Sequence, residues 1–179
     1  TKIESQGGKF LLNHELKNLN DIYYYSNFDQ VIVTASTSVF LKLVPQLPVS
    51  SKTRLQKLKM FGALNLILIL KEKFLTDNTY WLNINEPDFP FVAVVEHTNF
   101  VNPKYYGGNH ILYIGGYYPP NHPYFKMNKE QILQEFLPYL QKINPAFNIS
   151  HITYHISRNL NAQPIIPLNY SKLIPSHRT

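Results

Sequence analysis

The stretch that most constrains this chain runs from Tyr80 to Tyr118, reading YWLNINEPDFPFVAVVEHTNFVNPKYYGGNHILYIGGYY. Phe91–Val95 and Ile111–Tyr118 are rich in Val, Ile and aromatic residues, which fit a pleated, half-buried surface. A third run, Tyr80–Ile84, ends at the turn-prone Asn85-Glu86-Pro87-Asp88. These runs predict a meander of three antiparallel strands at the centre of a larger sheet. Glu96-His97-Thr98-Asn99 lies where the middle strand gives way to a loop, the place where a rigid scaffold presents binding side chains.

The other segments surround that meander with further strands and a few helices. Met60–Leu70 reads as one long strand entering the sheet. Ser50 or Ser51 caps a short helix within Val49–Leu58. Asn128 caps the next helix, with Gln131 completing a capping box. Ile132, Leu133, Phe136, Leu137 and Leu140 then form a one-sided apolar stripe. Pro138 is expected to kink that helix, and Asn144-Pro145 to end it. Pro119–Pro123 predicts an extended surface loop. Ile149–Ile156 alternates as a half-buried strand, with Ile152, Tyr154 and Ile156 on one face. The Asn161–Ser176 tail is expected to be extended.

Residues 1–45 read as a separate, strand-rich unit. Lys9–Leu12, His14–Leu19 and Ile22–Tyr25 predict short strands, and Phe28–Ala35 a buried strand apolar on both faces. Ser36, Thr37 or Ser38 caps a helix through Val39–Val44, stopped by Pro45. The overall expectation is α+β: a mixed, largely antiparallel sheet flanked by a few helices. Its boundaries put 46–158 in one domain, with 1–45 and 159–179 in another.

Composition narrows the chemistry. The chain has 179 residues, 44% hydrophobic and 14% aromatic, which is globular and large enough for a core. Zero cysteines exclude disulfides and thiolate catalysis, and suit a reducing, cytoplasmic compartment. Leu64–Leu70 is far shorter than the ~20 apolar residues a membrane span needs. A start at Thr1 without methionine reads as an excised or trimmed piece. The net charge of +6 invites a nucleic-acid reading, but its one cluster, Lys52, Arg54, Lys57 and Lys59, suits a solvated helix face better. His151 and His155 have a metal-like spacing, yet on a strand they lie about 13 Å apart at ~3.3 Å per residue. No metal site is expected.

Several motifs together carry a resemblance. They are Gly7-Gly8 with the apolar alternation after it, F-D-Q-V-I-V-T-A at Phe28–Ala35, and a helix ending in Leu43-Val44-Pro45. W-L-N-I-N from Trp81, P-F-V-A-V-V-E-H-T-N-F from Pro90, Y-Y-G-G-N-H-I-L-Y-I-G-G-Y from Tyr105, I-N-P-A-F from Ile143 and A-Q-P-I from Ala162 extend it over nearly the whole chain. This set resembles the flavin-containing amine oxidase superfamily, and within it a bacterial subgroup of NAD(P)/FAD-dependent oxidoreductases. The resemblance implies FAD, a small-molecule substrate and hydride chemistry in a full-length protein. It matches Leu16 to a position whose backbone meets the adenine, and Thr34, Ala35 and Ser36 to a turn passing close to the cofactor. The family's G-x-G-x-x-G fingerprint is absent, as is its closing Gly-rich segment. The chain therefore reads as mainly the substrate domain, completed by the rest of an FAD domain and not expected to retain FAD alone.

On the substrate side the candidates are Glu96, His97, Asn99, Tyr106 and Tyr117. Strand alternation predicts His97 and Asn99 on one face, opposite Glu96 and Thr98, and an imidazole with a carboxamide offers donors and acceptors to a polar substrate head. Against this stands a purely structural role for Glu96-His97, finishing a strand and bonding the next loop. Trp81, Tyr105 and Tyr113 line either a cavity or the core. The rival to the enzyme is a non-enzymatic module whose aromatic sheet binds a hydrophobic ligand or a protein.

Overall fold

The computed structural model describes residues 1–20, 28–150, 152–172 and 174. By its internal contacts the chain divides into two compact units, Thr1–Leu58 with Ile166–Thr179, and Lys59–Ile165.

The larger unit is built on a five-stranded sheet. Its strands are β1 (Met60–Leu70), β2 (Trp81–Asn83), β3 (Ala93–Glu96), β4 (His110–Tyr118) and β5 (Thr153–Pro164), in the order β2-β3-β4-β1-β5. Every pairing is antiparallel. The predicted meander is present as β2-β3-β4, but it forms one side of the sheet and β2 is an edge. The long β1 joins it to β5, so β4, the last strand of the meander, is the middle strand and the apolar run Met60–Leu70 lies between it and the β5 edge. Gly107 and Gly108 lead into β4 at φ values of 63° and 81°, a left-handed turn that glycine adopts without a Cβ penalty.

Alternation along β1 decides which face is buried. Leu64, Leu66, Leu68 and Leu70 point to one side, where Val94, Leu112 and Ile114 join them. The helix Lys129–Ile143 covers that side with Ile132, Leu133, Phe136 and Leu140, the predicted stripe. Asn128 and Gln131 form the expected capping box, Asn144 ends the helix, and the helix continues through Pro138. Phe136 is fully buried, with its ring 5.1 Å from Phe91 and 5.7 Å from Tyr124. Burying one such side chain is worth about 2–3 kcal/mol. Burial pushes the Tyr124 phenol up to about 12, with the nearby Glu135 carboxyl adding to it.

Some expectations shift. β5 begins at Thr153 and runs on to Pro164, because it pairs with β1 along most of that strand's length, so the first part of the expected extended tail is strand. Tyr154 and Ile156 do pack toward the core while Thr153 and His155 are exposed. The helix Val49–Gln56 is preceded by Pro48 and has no side-chain cap, so neither Ser50 nor Ser51 caps it.

The smaller unit departs furthest from its expectation. Among its described residues there is no strand: Lys9–Leu12, His14–Leu19 and Phe28–Ala35 are irregular or turn. A strand exists only when a neighbour takes up its backbone hydrogen bonds, and among the described residues none pairs with these segments. Ile32, expected inside, is 84% exposed. The helix Thr37–Leu43 forms as expected, with Ser36 before it and Val44 after it, but the Ser36 hydroxyl makes no capping bond. The strand expected at Ile22–Tyr25, together with His151 and His177, lies outside the described residues.

Candidate functional site

The helix seals one face of the sheet; the opposite face carries Trp81, Tyr113 and Tyr117. Two of the five substrate-side candidates, Glu96 and Asn99, are hydrogen-bonded to the backbone of neighbouring loops. Glu96 is the last residue of β3 and is fully buried. Its Oε2 accepts the backbone N–H groups of Phe74 (3.0 Å) and Leu75 (3.1 Å). Its Oε1 accepts the Thr98 hydroxyl at 3.2 Å, and His110 Nδ1 stands 4.0 Å away. Thr98 Oγ1 in turn accepts the Ile111 N–H at 3.2 Å. The side chain thus ties the 74–75 loop and the start of β4 to the end of β3.

Asn99 ties down the same loop, donating to the carbonyls of Leu75 (3.1 Å) and Thr79 (2.9 Å). The expected shared face of His97 and Asn99 is not found. His97–Asn99 is a 3-10 turn, in which residues two apart no longer point the same way. His97 instead keeps company with tyrosines: its Nε2 is 2.7 Å from the Tyr106 hydroxyl, and its ring lies edge-on to Tyr106 and Tyr113.

Tyr117 stands in a groove on the open face, and the register explains the groove. Tyr113 and Tyr117 share a face of β4, four residues apart and so about 13 Å at ~3.3 Å per residue. Gly115 lies between them, opposite Ala93 of β3 and Asn65 of β1. That row is low, and the rows beside it are tall. One contains Trp81, Val95 and Tyr113; the other contains Tyr117 beside Ala63. The result is a cavity of about 120 Å³ with no charged residue in its lining. Trp81 Nε1 donates to Asn83 Oδ1 at 2.8 Å, which fixes the indole at the groove's edge.

Sequence reasoning finds Tyr117, Trp81 and Tyr113 but misses Asn65 and Gly115. Both carry a signal. Asn65 is the one polar residue in the apolar run of β1, and Gly115 separates two same-face tyrosines in Y-I-G-G-Y.

Leu16, Thr34, Ala35 and Ser36 lie in irregular backbone or at a helix start, and Leu16 and Thr34 are exposed. The described part of residues 1–58 provides no strand–glycine loop–helix cradle for a dinucleotide, and the sequence has no G-x-G-x-x-G. These residues by themselves do not fit FAD. Among the described residues no helix is long and apolar enough to cross a membrane.

An antiparallel sheet with one helix-sealed face and one open aromatic face is an α+β fold. The chain matches the flavin containing amine oxidoreductases over residues 1–178 and belongs to that family. A flavin is the cofactor of that family. The fold is similar to a candidate protoporphyrinogen oxidase from Exiguobacterium sp. 255-15, with a TM-score of 0.60 and 15% identity over 78% of this chain and 30% of that one. It is also similar to a reduced UDP-galactopyranose mutase, with a TM-score of 0.50 and 15% identity over 68% of this chain and 26% of that one. The chain therefore spans less than a third of either structure. No curated protein matches it.

Proposed function

We propose that this chain is the substrate-binding part of an FAD-dependent, amine-oxidase-like oxidoreductase, completed by the FAD-binding remainder of a longer polypeptide. The observation that carries this reading is the contrast between the two sheet faces: one is sealed by the helix Lys129–Ile143, the other open with an aromatic-walled groove. In this reading the substrate-binding domain takes in roughly 46–158, and 1–45 with 159–179 belong with the FAD domain. Tyr117 and the His97–Tyr106 pair face the substrate, while Glu96 and Asn99 hold the loops that frame it. The oxidation chemistry belongs to the flavin, and in this reading the residues of this chain bind a small molecule, orient it and keep water from it. A cysteine-free composition suits a cytoplasmic setting.

The test is flavin content. Purified alone with added FAD, this chain is expected to be colourless after gel filtration. A polypeptide uniting it with its FAD-binding remainder is expected to carry about one FAD per chain. Flavin retained by the short chain, or missing from the long one, contradicts the proposal.

A further inference from the structure

The groove's lining identifies the kind of molecule it takes. Ala63, Ala93 and Gly115 keep the floor low, and Trp81, Tyr113 and Tyr117 raise flat walls beside it. Its volume of about 120 Å³ is on the scale of a cavity that takes a single six-membered ring. No Lys, Arg, His, Asp or Glu lines it, so a charged group entering it loses water and finds no opposite charge.

One polar group stands in the floor with its bonding capacity unused. Asn65 is half-buried at the middle of β1, and among the described residues no hydrogen bond engages its carboxamide. The backbone beneath it is already used, because Asn65 pairs with Gly115 on one side and Ser157 on the other. A carboxamide offers a donor and an acceptor side by side, which matches a neutral edge that also has both.

We propose that the groove binds a flat, uncharged ring carrying a neutral hydrogen-bonding edge, and that Asn65 reads that edge. This rests on the proposed function and deepens it, since it names the substrate class for the same face. It also sets this chain apart from an enzyme that recognises a charged amine head through an acidic residue.

Trp81 is the only tryptophan and lies at the groove, so its fluorescence reports occupancy directly. The probes are benzamide, benzoate and benzylamine, one ring with a neutral, an anionic and a cationic edge. Benzamide is expected to change the Trp81 emission saturably, with the two charged probes roughly tenfold weaker or more. Asn65→Leu should weaken benzamide roughly fivefold, the size of one ordinary hydrogen bond. Asn65→Asp should reverse the preference toward benzylamine, which keeps the test decisive if the leucine variant folds poorly. Equal binding of all three probes, no binding of benzamide, or indifference to both substitutions overturns the proposal. These outcomes are separate from flavin content: the long polypeptide carrying FAD while benzamide fails to bind sinks only the ligand class.

Discussion

Glu96→Ala is expected to destabilise the Lys59–Ile165 unit by about 4 kcal/mol in urea unfolding. The carboxyl group is fully buried and accepts two backbone N–H groups, from Phe74 and Leu75, and the Thr98 hydroxyl. Alanine leaves the two backbone donors without their acceptor, each such loss costing about 1–3 kcal/mol, while the Thr98 hydroxyl keeps His110 Nδ1 at 3.3 Å as a partner. Truncation also removes the joint between the 74–75 loop and the end of β3. Glu96→Gln keeps one acceptor oxygen and should cost less than half as much. If alanine costs less than about 1 kcal/mol, the buried network is not what holds this loop.

Gly115→Ala is the second large effect, about 3 kcal/mol by the same measurement. A Cβ at this position would stand 2.0 Å from the Leu64 carbonyl oxygen and 2.8 Å from Asn65 Oδ1. The first of these is backbone of the adjacent strand, so β1 and β4 must part to admit it. Gly116 is an internal control. Its Cβ would meet Val92 Cγ2 at 3.0 Å, a side-chain atom on an exposed residue that can give way. Gly116→Ala should therefore cost no more than about 1 kcal/mol. Equal costs at the two positions would mean that the close approach of β1 and β4 is not what demands glycine.

Elements are legible in the sequence to the extent that their signals are local. The helix Lys129–Ile143 is readable because its cap, its stripe and its stop lie within one short stretch. β1 is readable because a long apolar run bounded by Lys59 and Lys71 has few other uses. The order of the strands is less so: the meander sits at one side of the sheet because β1 pairs with the distant β5, and no local pattern encodes that. Phe28–Ala35 misleads because its apolar composition describes what would happen beside a partner strand, and no described strand pairs with it. At the site, Glu96-His97-Thr98-Asn99 stands out as a chemically loaded segment, but strand alternation does not extend through it. The 3-10 turn begins at His97 and sends Asn99 to the Leu75 and Thr79 carbonyls. The groove itself emerges only from register, which brings Asn65, Ala93 and Gly115 into one row from three separate strands.

The central claim is that the open face of the sheet, and not the helix-covered face, is the substrate side of a flavoprotein. The chain's lack of cysteine makes this measurable with single introduced thiols. A fluorescent label is placed at Tyr117→Cys on the open face, or at Gln134→Cys on the exposed side of the helix, in the FAD-containing polypeptide with other cysteines removed. Quenching of each label by the bound flavin is then compared with the flavin-free form. Strong quenching at position 117 and little at position 134 is expected; quenching equal at both, or stronger at 134, would contradict the claim.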